Sequence, residues 1–344
     1  MLVGSYSAIS DEGIKLYMFD QDSADFKLVS GLSGISNPSF LTVSADNKFV
    51  YAVGEDEGFS STANSIKLDL EQGTISLVNS QLTNGGAPCN ITLSPDDALV
   101  ITANYFGGNI SLFDVLPDGS LSASDTISFC GSGVDPVRQT KPYLHCVAFT
   151  PDKKYLLAND LGTDMIHQFN TVIGADGRIS IDRSSQNDIF VKAGAGPRHL
   201  CFSPDGEYIY LVSELSGEVF SFAYNSGQIT QIQCIKADEY DAGGSADIHI
   251  SPDGRFVYAS HRLKGDGLSV LRVNSDGSLQ KVGYQQTGAH PRNFAISPNG
   301  KYLLVACRDT DEIQIFQRDI MSGMLSDTGK SVRMPKPVCI KFIK

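Results

Sequence analysis

A chain of 344 residues with 39 acidic and 27 basic side chains carries a formal charge of −12. That is the wrong sign for neutralising a phosphate backbone, so a nucleic-acid partner is excluded. The seven cysteines are odd in number and scattered without a Cys-x-x-Cys pair, against a disulfide scaffold or a thiolate zinc site. Hydrophobic residues make up 41% of the chain, enough for a large core, yet no apolar run reaches the length of a membrane-spanning helix, so no membrane partner is expected.

From the N-terminus, residues 2–6 enter a strand-like segment at once, without a basic n-region or an apolar h-region. This fits a cytoplasmic protein, or one from which an export signal has been removed. Strand-like runs follow at 13–19 and 26–30. A recurring unit then begins. Ser44-Ala45-Asp46, Ser94-Pro95-Asp96, Thr150-Pro151-Asp152, Ser203-Pro204-Asp205, Ser251-Pro252-Asp253 and Ser297-Pro298-Asn299 mark equivalent turns, separated by 50, 56, 53, 48 and 46 residues. A period of this size signals a propeller or a solenoid. Proline fixes φ in such a turn, and Asp, Asn and Gly tolerate the bend.

Each unit resolves into four short runs rich in Val, Ile, Phe, Tyr and Leu. In the second unit they are 88–94, 98–103, 108–115 and 119–124, and in the fourth 198–203, 207–212, 217–224 and 227–232. The last segment, 335–343, matches a first strand with no second strand after it, whereas residues 2–6 match a second strand. The expectation is an all-β, seven-bladed β-propeller of four antiparallel strands per blade. It forms one domain over residues 1–344, closed by the C-terminal strand joining the N-terminal blade.

Within a unit the turn joins two antiparallel strands, so the start of the first and the end of the second emerge at one edge. Five residues before the turn hydroxyl lie Ser39, Cys89, His145, Arg198, Ala246 and Arg292. Eleven after it lie Glu55, Tyr105, Leu161, Glu214, Arg262 and Arg308, with Tyr6 from the closing unit. Four arginines, a histidine and two glutamates thus gather where a scaffold needs no charge. A small anionic ligand suits such a mouth, since guanidinium forks pair with carboxylate or phosphate. The plainer alternative is that the arginines close salt bridges with Glu55 and Glu214. The longest connection, 130–143, carries Arg138 and Lys141 toward the same edge.

At these residues the sequence resembles the propeller lactonase family, which includes the seven-bladed 6-phosphogluconolactonase type and the 3-carboxy-cis,cis-muconate lactonizing type. The resemblance spans nearly the whole chain. It is carried by Ala103-Asn104-Tyr105, the Arg138-Gln139 loop leading to His145, Asp160-Leu161-Gly162, Gly196-Pro197-Arg198-His199-Leu200, Ser213-Glu214-Leu215, Ser260-His261-Arg262 and His290-Pro291-Arg292. It implies an active-site group of His145, Arg198, Glu214 and Arg262, with Tyr105, Arg138, Asp160, His199, His261, Arg292 and Arg308 as substrate-binding candidates. Tyr143, Asn159 and His261 depart from the family's usual His, Pro and Asn, and His261 is expected to alter the pocket wall.

Lactone hydrolysis needs a base for water, donors for the carbonyl oxyanion and a holder for the anionic tail. His145 or Glu214 suits the first role, and Arg198 and Arg262 the others. The same residue types would serve a cycloisomerase that adds a carboxylate across an alkene, and they do not choose between the two. A non-catalytic binding propeller is the third reading, disfavoured by the absence of Trp from the chain. The six histidines form no His-x-His or His-Glu-x-x-His pattern and no dinucleotide fingerprint is present, so neither metal nor organic cofactor is expected. The expected partner is a small anionic substrate, and the expected state a monomer or weak homodimer.

Overall fold

The computed structural model describes residues 1–58 and 60–343. Among them the strands form seven four-stranded sheets, and the one helical element is a 3-10 turn at Arg308–Thr310. Sheet four, numbered along the chain, runs Pro197–Phe202, Tyr208–Ser213, Glu218–Asn225 and Gln228–Lys236 in that spatial order, all antiparallel. The remaining sheet runs Pro337–Lys341, Leu2–Ser5, Ile14–Phe19 and Phe26–Leu32, as the repeat pattern required.

The turn between first and second strands has the same chemistry each time. The hydroxyl of Ser44, Ser94, Thr150, Ser203, Ser251 or Ser297 donates to the Asp or Asn two residues on, at 2.5–2.8 Å. It also accepts the backbone N–H five residues on, at 2.9–3.1 Å. The third residue after the hydroxyl is left-handed every time: Asn47, Asp97, Lys153, Gly206, Gly254 and Gly300 lie at φ between 57° and 76°. Glycine enters that region without steric cost, and Asn and Asp more readily than other side chains.

The chain divides into two compact units, one mainly Met1–Met18 with Leu28–Gly194, the other Phe19–Lys27 with Ala195–Phe342. In each, the core lies between consecutive sheets. In the first, Ile101, Ala103 and Ile110 of sheet two pack with Leu144, Val147 and Leu156 of sheet three. In the second, Tyr210, Val212 and Val219 of sheet four pack with Ile248, Val257 and Leu271 of sheet five. Second strands are therefore covered on both faces: Leu99–Asn104, Phe256–His261 and Tyr302–Cys307 are buried at every residue.

One strand departs from expectation. The run 119–124 makes no outer strand of sheet two, which instead has the four-residue Asp125–Ser128. The sheet before it has captured the segment. Asn79 accepts from the Leu121 N–H at 3.0 Å, Asn79 and Gln81 donate to its carbonyl at 2.8 and 3.0 Å, and Ser65 donates to the Gly119 carbonyl at 2.6 Å. The run keeps one bridge to its own sheet, the Ser120 carbonyl accepting from the Leu116 N–H and the Ser122 N–H donating to the Asp114 carbonyl, both at 2.9 Å, while these side chains satisfy the Leu121 and Gly119 groups left over.

Replacing Ser203 by Ala removes both turn bonds of sheet four and is expected to cost about 1–2 kcal/mol in urea unfolding. Ser203→Thr, the residue found at position 150, should retain most of that stability. Equal stability of Ala and wild type would show that the hydroxyl does not set the turn.

Candidate functional site

The edge predicted from the repeat exists and is defined by a recurring backbone bond. The N–H eleven residues after each turn hydroxyl donates to the carbonyl of the residue just before the first strand. Glu55 reaches Asn37, Tyr105 Ala87, Leu161 Tyr143, Glu214 Gly196, Arg262 Gly244 and Arg308 His290, at 2.8–3.2 Å. Early and late positions of one sheet are thereby neighbours.

In the compact unit that contains Ala195–Phe342 these positions form a connected string of charges. Arg198 donates through Nε to Glu214 Oε2 at 2.8 Å, and through Nη1 to the Ala246 carbonyl. Arg262 Nη2 lies 3.3 Å from the same Oε2, and its Nε donates to the Gly244 carbonyl at 2.8 Å. Arg262 Nη1 lies 3.1 Å from His290 Nε2. The His290 Nδ1 faces Asp309 at 3.4 Å, and Arg308 clamps Asp309 by two bonds of 2.6 and 2.9 Å. Arg198 is 1% exposed, and Arg262 and Glu214 are 6% and 7% exposed, so the pairs are shielded from water. The salt-bridge reading of the arginines is thus realised at Glu214, while Glu55 accepts from Ser39 and, at 3.0 Å, from Tyr6.

Two predicted residues beside these arginines turn away from them. Arg198 is the extra residue of a β-bulge between Pro197 and His199, and His199 engages a different carboxylate from Arg198. Its Nδ1 meets Asp247 at 2.7 Å, and that buried carboxylate also takes His249 Nε2 at 2.9 Å and the Asn293 amide at 2.5 Å. Burial first, and then the Arg198 charge, push His199 down to about 4. His261 is fully buried, with Nδ1 2.7 Å from the Ser245 hydroxyl and Nε2 2.8 Å from that of Ser269, which donates to the Ala237 carbonyl. Its two ring nitrogens are thus both engaged by serines. It braces the segment Gly244-Ser245 that receives Arg262 Nε. The equivalent Asn104 of sheet two likewise bonds a third-strand serine, donating to Ser111 at 2.7 Å. Burial pushes His261 down to about 3.

The first unit carries an aromatic group. The rings of His145 and Tyr105 meet edge to face at 5.6 Å, and Tyr143 packs on Tyr105 at 4.7 Å. Arg138 Nη2 reaches the Tyr105 hydroxyl at 3.5 Å, within a loop anchored by Gln139, which is fully buried and donates to the Leu161 carbonyl at 2.8 Å. Asp160 is a corner, accepting from the Tyr143 N–H at 2.7 Å, the Gly162 N–H at 2.9 Å and the Thr163 hydroxyl at 2.7 Å. It also lies 3.4 Å from His167 Nε2, whose other nitrogen meets Asp188 at 2.7 Å. Burial opposes the charged form of His167, but the two carboxylates outweigh it and lift its pKa. Sequence reasoning missed Tyr143, His290, Asp309 and Asp247 as members of these networks. The His-Pro-Arg triplet at 290–292 was the available signal for one of them.

Residues 1–342 match the family described as "Lactonase, 7-bladed beta-propeller". The chain is 34% identical to a 6-phosphogluconolactonase of Formosa agariphila, over 99% of this chain and 96% of the relative. It is 32% identical to a 6-phosphogluconolactonase of Bacillus subtilis, over 99% and 97%. Among solved structures, a chain from Bacteroides fragilis is similar at TM-score 0.95 and 46% identity, covering 100% of this chain and 97% of that one. The periplasmic gluconolactonase of Pseudomonas aeruginosa is similar at TM-score 0.89 and 32% identity, covering 98% and 96%.

Two outcomes are expected of these networks. Glu214→Ala strands two shielded guanidiniums and should lower stability by about 3–5 kcal/mol. A double-mutant cycle with Arg198→Met should then show a second substitution cheaper than in wild type; strict additivity would mean the pair is not coupled. His261 is neutral when folded, with a value of about 3 against about 6.5 unfolded, so its contribution is full above pH 6.5 and is lost as pH falls below it. His261→Asn should flatten the decline in Tm between pH 6.5 and about 4, and an unchanged slope would contradict this.

Proposed function

The chain belongs to the seven-bladed β-propeller lactonase family, its seven sheets being the blades, and from that premise we propose that it hydrolyses a small anionic sugar lactone, 6-phosphogluconolactone to 6-phosphogluconate. The observation that carries this reading is the Glu214 carboxylate shared between Arg198 and Arg262 at the strand ends. Glu214 fixes both guanidiniums in orientation before substrate arrives, and preorganised donors are what a developing oxyanion requires. The relatives named 6-phosphogluconolactonase support the substrate class.

The reaction needs no redox step. Water adds to the lactone carbonyl carbon as a base takes its proton, and the oxyanion forms against guanidinium N–H groups. The ring carbon–oxygen bond then breaks, the departing oxygen takes a proton, and a carboxylate remains. Guanidiniums cannot serve as the base, being protonated at all relevant pH. The candidates are therefore Glu214, whose Oε2 is engaged by both arginines, and the His145 imidazole, which packs against the Tyr105 ring. Arg292 and Arg308 extend the positive field toward a phosphate or second carboxylate. We place the reaction in the cytoplasm. The seven cysteines are free thiols, four of them buried, which supports a reducing compartment.

Wild-type protein should open 6-phosphogluconolactone well above its spontaneous rate. His145→Gln or Glu214→Gln should lower turnover by about 10²–10⁴-fold if the residue is the base. A wild-type rate equal to background would sink the assignment, and turnover of a muconate to its lactone would replace it with the cycloisomerase reading.

A further inference from the structure

Resting on the lactonase reading of the same string of charges, we infer that His290, oriented by Asp309, is a positioning residue for Arg262. Arginine has only donors, so the 3.1 Å approach of Arg262 Nη1 requires His290 Nε2 to accept. The imidazole proton then sits on Nδ1, facing Asp309 Oδ2 at 3.4 Å. Arg308 holds both oxygens of Asp309 and so favours this orientation of the carboxylate. A carboxylate that fixes the tautomer of an imidazole, which in turn holds a working group, is a recurrent way of orienting catalytic machinery.

The backbone gives independent support. In the five sheets that have a first-strand proline, the residue before it is left-handed: Asn37, Ala87, Gly196, His290 and Lys336 have φ of 45°, 52°, 68°, 59° and 41°. The fold accepts Asn, Ala, Gly or Lys there, so nothing in the architecture demands an imidazole. At position 290 alone does this conformation carry a ring, and the ring bridges sheet five to sheet six at the arginine.

The charge state fits the role. The charged groups around His290 are Arg262, Arg308, Arg292 and Asp309. Burial, then the three guanidiniums, push His290 down to about 3, against a smaller opposing pull from Asp309. The ring thus remains an acceptor across any working pH. With Nε on the Gly244 carbonyl, Nη1 on His290 and Nη2 beside Glu214, the plane of Arg262 is fixed by three groups from three directions.

The test compares His290→Ala with His290→Gln in the full chain. Ala occupies the equivalent place at position 87, so the variant is expected to fold, and a thermal melt checks it. Ala removes the acceptor and should lower kcat/KM on 6-phosphogluconolactone by about 10–100-fold. Gln restores an acceptor oxygen and should recover most of that loss. A structural role would not separate Ala from Gln in this way. Activity unchanged in Ala, or equal losses in both variants that follow their melting temperatures, overturns the inference. If wild type opens no lactone, the lactonase reading fails by itself, and the inference is read from stabilisation by inorganic phosphate. Weaker stabilisation in Ala, restored in Gln, then supports it; equal response of all three proteins, including no response in any, overturns it.

Discussion

One hydroxyl in each of six repeats governs where the other groups of its sheet fall. By accepting an N–H five residues ahead while donating to an acid two residues ahead, it locks the hairpin in a single register. A one-residue slip would turn every side chain of the strand to the opposite face. Arg198 would then point where His199 does, and Glu214 would lose its partner. The register also brings the late N–H opposite the carbonyl before the first strand, so that early and late side chains share an edge. The chemistry at that edge is downstream of a turn made of Ser, Pro and Asp.

The electrostatics follow from what that edge excludes. In water, arginines on an acidic protein would be screened, and each pair would be worth little. Here Arg198 and Arg262 are almost fully covered, and charges so placed must find opposite charge or carbonyl oxygen. Glu214, Gly244 and Ala246 supply it. Burial that is costly for stability yields guanidiniums that need no reorganisation when an anion arrives. The neutral histidines belong to the same economy of charge. His199, His261 and His290 have each been driven toward the uncharged form, so they brace without adding to the positive field.

Much of this was legible in the residues. The turns spell themselves out, and counting from them placed Arg198, Glu214, Arg262 and Arg308 at one edge. Counting could not say which way a neighbouring side chain leaves the strand. His199 and His261 stood in the right motifs but serve Asp247 and two serines. The outer strand of sheet two was misplaced because the run 119–124 keeps only a single bridge to Val115 and its Leu121 carbonyl is taken by Asn79 and Gln81, about forty residues upstream, which carry no local sign. His290 stayed hidden because an X-Pro dipeptide ordinarily reads as extended, while here the residue is left-handed and its ring is aimed at Arg262.

The bond that defines the edge involves no side chain, and this shapes how the repeat can change over time. Each copy offers two sockets whose occupants can be exchanged without disturbing the scaffold, which is why Ser39, Cys89, Ala246 and Leu161 can coexist with arginine and glutamate in equivalent places. Divergence becomes contingent where sockets of adjacent copies have been wired together by charge. At Arg198, Glu214 and Arg262 no single exchange is neutral, because each strands a partner away from water. The copies that hold the charged string are thus bound to drift as a set, while the others drift alone. A repeat with nearly identical turns can in this way hold a site with no symmetry at all.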